Sequence, residues 1–257
     1  MKTLYKSLLA LTLCVCAGLS AAAQSDNVSP GKVGFTPMFV KTYTFLPQAA
    51  VDLMEQKLMQ VAMRNGVASY SGRYVLTAKV AEEDSQTTAT APVQYVKKLS
   101  VQFVAYDMET KAVVGEMTVS VTGVDKSPER AVMAALRRIQ PKNAKTTSFV
   151  QNASKAIVDA FNRNLESILK KAEYLANHGQ YDEALASLAA VPQSVDRYDD
   201  VLATAEKICG AKGEADGAKA GKIDVEEEMK AALEKEMSGE EQATRLVEWE
   251  KWLNENK

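Results

Sequence analysis

KKLSVQFVAYDMETKAVVGEMTVSVTG, residues 97–123, decides the fold of this chain. Its first half alternates Leu99, Val101, Phe103 and Ala105 against Ser100, Gln102 and Tyr106. Its second half alternates Val113, Met117, Val119 and Val121 against Glu116, Thr118 and Ser120. A period of two describes strands with one dry face and one wetter face. The five residues Asp107 to Lys111 are a short polar connection of the kind that closes an antiparallel hairpin. Asp107 and Glu109 offer two carboxylates, whereas calcium takes six to eight oxygen ligands. A solvated turn, capped by Asp107 and Thr110, is therefore the expected role.

Upstream, RYVLTAKVA (73–81) is a third strand, and EEDSQTTATAP (82–92) reads as a mobile polar loop. The segment 33–45 favours an extended conformation, with Pro37 confining its first half to an edge or lead-in. Pro47 then opens a helix in which Val51, Met54, Leu58, Val61 and Ala62 recur at three- and four-residue steps. Downstream, Ser127-Pro128-Glu129 starts another helix. After Pro141 a longer one carries Val150, Ile157, Phe161, Leu165 and Ile168 on one line. The order β-α-β-β-β-α-α predicts an α+β fold, a mixed sheet of about four strands covered by helices.

The first 23 residues have the layout of a secretory signal peptide: Lys2 and Lys6, an apolar core over Leu8–Leu19, and an Ala21-Ala22-Ala23 cleavage site. The core is shorter than the ~20 residues that span a bilayer. Leu13 and Val15 precede Cys14 and Cys16 where lipidation needs a small residue, so cleaved export is the expectation. Cleavage takes the formal charge from −2 to −4 and leaves about 234 residues with Cys209 as the single cysteine. One cysteine makes no internal disulfide, and Cys209 with His178 makes no structural zinc site. Mild acidity gives no footprint for nucleic acid.

From residue 166 the chain changes character: helix, Gly179 turn, helix, proline break and helix, up to about residue 208. GAKGEADGAKAGK, at 210–222, has linker composition. The last 35 residues are rich in Glu and Lys and helical by propensity. They hold Leu246, Trp249, Trp252 and Leu253 at helical spacing, the residues proposed to bind a partner or to dock back on the chain. The expected organisation is a signal peptide (1–23), an α/β domain (33–165), a helical segment (166–208), a flexible linker (209–222) and a charged helical tail (223–257).

Two resemblances add to this reading. GRYVLTAKVAEEDS, a polar loop and the hairpin centred on Asp107 and Thr110 resemble the TolB-N/CsgG-type domain of bacterial envelope proteins, the group of LpoB and FlgT. Tyr74-Val75-Leu76-Thr77 matches its first element, with Ala78 where glycine is usual, and Lys111 stands in place of the second glycine. Residues 166–208 are similar to a tetratricopeptide (TPR) repeat through Ala172, Leu175, Gly179, Tyr181, Ala184 and Leu188. About one and a half repeats is fewer than the three or more a solenoid needs. Together the resemblances imply a non-enzymatic, protein-binding factor of the periplasm or outer-membrane periphery, without cofactor or metal. A homo-oligomeric structural subunit and an exported enzyme with a dispersed site are the alternatives.

His178 as a base and Cys209 as a nucleophile lack companions in the sequence, so a turn histidine and a structural cysteine are expected. Arg130, Arg137, Arg138, Lys142 and Lys145 form a basic cluster, read as a solvated face with anionic polymers or headgroups as the alternative partner.

Overall fold

The computed structural model describes residues 33–39, 46–69, 73–215 and 224–236, together with Glu248 and Lys251. The described elements are β1 (Thr36–Pro37), α1 (Gln48–Arg64), β2 (Tyr74–Thr87), β3 (Tyr95–Asp107) and β4 (Ala112–Asp125), followed by five helices. These are α2 (Pro128–Arg137), α3 (Ala144–Asn177), α4 (Tyr181–Ala189), α5 (Tyr198–Ala215) and α6 (Val225–Glu236). The fold is α+β, a four-stranded sheet in the order β1-β2-β3-β4 carrying six helices. Strand β1 runs parallel to β2, and the other two pairings are antiparallel.

The alternation read in the sequence sorts the strands. Leu76, Ala78, Val80, Leu99, Val101, Phe103 and Ala105 are all at most 3% exposed. They form one core with Met54, Leu58 and Val61 of α1, Leu136 of α2, and Phe149, Ile157 and Phe161 of α3. Helices α1 to α3 therefore cover one face of the sheet. The opposite face carries a small cluster of Val75, Val104 and Tyr106, against which Met38 and Met108 pack. Further along, that face becomes polar: Gln102 donates to Glu116 (3.1 Å) and Ser120 to Glu83 (3.2 Å).

Val113 departs from the expected pattern, being 52% exposed. Ala105 pairs with Gly115 but Tyr106 pairs with Val113, so β4 carries one extra residue at Val114. A one-residue slip moves a side chain to the other face of the sheet. The bulge thus turns Val113 away from the core while leaving Met117 and Val121 in it. Strand β2 also outruns the expected boundary. Residues 82–87 are strand rather than loop, paired with Tyr95–Leu99 across a register shift at Glu82/Asp84. Their side chains lie in water, which is why they read as loop. Backbone pairing and the cross-strand pairs Lys97–Glu82 and Lys98–Glu83 (both 2.9 Å) hold them extended.

Helix α3 is continuous over 34 residues, so the expected boundary at 165/166 falls inside it. No glycine or proline interrupts residues 144–177, and the apolar line of Leu165 continues through Ile168, Leu169, Ala172 and Leu175. Asn143 caps its start, accepting from the Thr146 N–H at 2.8 Å. Gly179, at φ +76°, makes the turn into α4, a left-handed conformation that glycine adopts without strain. Helix α5 then runs to Ala215, so residues 209–215 of the expected linker are helical. Tertiary contacts override linker composition there: Cys209 is 3% exposed, and Lys212 is ion-paired. Helix α6 joins the same core through Met229 and Ala232. Residues 216–222, the remainder of the expected linker, are outside the described residues.

Candidate interaction surface

The hairpin turn between β3 and β4 is built as an Asx turn. The Asp107 carboxylate accepts from the Glu109 N–H at 3.0 Å, closing the backbone over Met108. Arg73, immediately before β2, lies 3.6 Å from Asp107 and 3.0 Å from Glu109. Its guanidinium also sits 5.2 Å from the Tyr74 ring centroid and 5.1 Å from that of Phe161. Both carboxylates are thus engaged by one arginine, and Asp107 is only 7% exposed, so its end of the turn is buried rather than solvated as expected, because Arg73 supplies the counter-charge. Burial, offset in part by Arg73, raises the Tyr74 hydroxyl well above its usual range. Lys111 occupies the left-handed region at φ 54°, a conformation that glycine adopts without the steric cost of a Cβ. Lys111→Gly is expected to raise unfolding stability by about 0.5–1 kcal/mol, the left-handed cost less the glycine entropy, measured by urea denaturation.

The other singled-out residues have structural surroundings. His178 is the C-cap of α3, its Nδ1 2.8 Å from the Tyr174 carbonyl and its ring 4.2 Å from that of Tyr174. Cys209 is buried, and burial pushes its thiol up, away from the thiolate that a nucleophile requires. Leu246, Trp249, Trp252 and Leu253 lie outside the described residues. No group of three or more potential metal ligands occurs among the described residues.

What sequence reasoning missed lies where α4, α5 and α6 meet. Asp182, in the first turn of α4, is ion-paired with Lys212 of α5 at 3.0 Å and with Lys235 of α6. Lys212 also reaches Glu228 at 3.1 Å. These groups are separated by 30 and 53 positions from Asp182, and Lys212 was expected to be linker, so no local motif could announce them. Hydrogen bonds from Lys235 and Lys212 lower the Asp182 carboxyl pKa. Around them opens a depression of about 640 Å³, lined by Gln180, Tyr181, Asp182, Glu183, Lys212 and Lys235 among others. It presents carboxylates, ammoniums and an aromatic ring side by side.

Because Asp182 is depressed in the folded chain, its stabilisation is present above its ordinary value of 3.8 and lost as pH falls through the lower folded value. As pH falls below that range, the contribution of the Asp182 ion pairs to holding α4 against α5 and α6 is expected to be lost. Thermal unfolding of the wild type and Asp182→Asn should show a gap at neutral pH that closes in acid.

No protein-family model matches the chain, and no curated protein matches it. Among solved structures, the chain is similar to a minor lipoprotein from Acinetobacter baumannii, at 17% identity and a TM-score of 0.29. That likeness covers 48% of this chain and 91% of the other. A second neighbour, described as a lipoprotein from Caulobacter crescentus CB15, shows 16% identity and a TM-score of 0.27 over 48% of this chain and 83% of its own. At these scores neither neighbour fixes the fold or the function of this chain.

Proposed function

We propose that the chain is an exported, non-enzymatic binding or assembly factor of the bacterial cell envelope, periplasmic or at the outer-membrane periphery. Its α/β unit is of the TolB-N/CsgG type, and α3 to α5 form a TPR-like extension that presents the cleft beside α4. The observation that carries this reading is the single helix α3. Phe149 to Leu165 anchor it in the sheet's core, and Ala172 buries against the extension in the same cluster. The extension is therefore held by the sheet as a rigid presentation surface rather than hung from a linker. Export rests on the tripartite layout of residues 1–23. No described helix is long and apolar enough to cross a membrane.

The test is a photocrosslinking residue at Gln180, at the rim of the cleft, in the full chain expressed in a bacterial envelope. A discrete crosslinked protein is expected there, and none from the same probe at the exposed Lys155 on α3. Replacing Glu183 with arginine should abolish the product. The same products from both positions would remove the proposal.

A further inference from the structure

A second surface, remote in sequence from the cleft, concentrates positive charge that has no ion-pair partner among the described residues. Arg130 and Arg137 lie seven residues apart on α2, two turns along one helix face, and Arg138 is the C-cap of that helix. Lys57 of α1 reaches the Arg137 and Ile139 carbonyls at 3.1 and 2.7 Å, which places α1 beside the end of α2. Arg64 is seven residues beyond Lys57 on α1 and so shares its face. Next to Arg64, Asn65 donates to the Pro141 carbonyl at 3.2 Å, bringing the Pro141–Lys142 connection to the same end. Arg64, Arg130, Arg137, Arg138 and Lys142 are all exposed. None of them makes an ion pair with a described residue, in a chain whose overall charge is negative.

Beside Arg64, Met63 is 59% exposed, an apolar side chain on the rim of a cationic surface. Desolvation and the nearby charge of Arg64 lower the Lys57 ammonium pKa, as expected for a cation partly withdrawn from water beside another cation. We infer that the surface made by the ends of α1 and α2 and the 139–142 connection docks on an anionic phospholipid bilayer. Charge complementarity selects the partner's sign. The spread of cations over two helix ends and a loop, with a methionine at the rim, fits a broad headgroup plane better than one small anion. Arginine suits phosphate because its planar fork donates to two oxygens at once. Each cation near an anionic surface contributes roughly five-fold to partitioning at moderate ionic strength.

The experiment uses the chain from residue 24 onward, which keeps every described residue and removes the apolar leader that would itself enter vesicles. Sedimentation with phosphatidylglycerol-containing vesicles should capture it, and pure phosphatidylcholine vesicles should not. The triple change Arg64→Gln, Arg137→Gln and Arg138→Gln should weaken capture by roughly 100-fold. The corresponding triple lysine variant should retain most of it, which separates charge from misfolding. Met63→Ala should weaken capture by several-fold without changing its salt dependence. Equal capture by the neutral vesicles, or no loss in the glutamine variant, would overturn the inference. Equal competition by polyglutamate at matched charge would assign the surface to an acidic polypeptide and overturn it too.

Discussion

Gly123→Ala is expected to destabilise the fold by about 3 kcal/mol or more, the upper end of the range for overpacked cores. A Cβ on Gly123 would stand 2.0 Å from the Ala131 carbonyl oxygen and 2.3 Å from the Ala135 nitrogen. Both are backbone atoms of α2, so no side-chain rotamer change relieves the contact. The helix would have to retreat from β4, opening the core around Ala131, Ala135 and Leu136, all of which are fully buried. Chemical denaturation gives the value directly, and near-ultraviolet circular dichroism tests whether packing at the sheet is lost. Gly210→Ala is the matched control. It adds the same methyl to a helix with nothing within 4 Å, and should stabilise by about 0.5–1 kcal/mol. Similar effects at the two positions would refute the close approach of α2 to β4.

Leu185→Ala is the second large effect, expected to cost about 2–5 kcal/mol. Leu185 is fully buried on α4, in the core cluster shared by α3, α5 and α6. Because α3 enters both this cluster and the sheet, the loss should lower a single unfolding transition rather than create a separate one for the extension. Calorimetry of the variant decides between these outcomes. Two resolved transitions would mean that the extension is energetically independent of the sheet despite the shared helix.

The fold was legible in the sequence wherever one physical rule acted alone. Leu99 to Ala105 alternate because β3 is the inner strand of an antiparallel meander with its dry face against three helices. The same rule misassigned Val113, since a bulge is a change of phase and alternation cannot reveal where phase changes. Residues 82–87 were hidden for another reason: both of their faces meet water, so only backbone pairing marks them as strand. The Asp107 turn was readable because an Asx turn is a local interaction across two residues. The Asp182–Lys212–Lys235 cluster was not, because tertiary packing alone brings its members together. Lys212 is the instructive case: its alanine-, glycine- and lysine-rich surroundings describe a linker, yet burial of Cys209 one turn earlier keeps that stretch helical.

At about 1.5 Å per residue, the 34 residues of α3 measure roughly 50 Å, well beyond the diameter of a typical small domain. Such a rod is a ruler. Whatever grips the Gly179 end is kept at a set distance and rotational angle from the sheet, with no hinge glycine or proline between them to absorb a mismatch. Each residue inserted into or removed from the middle of α3 would turn one end by about 100° relative to the other. Length variation should therefore be harmful there and mild in the 88–94 loop, a difference that an insertion scan would measure as a phase rather than as a stability.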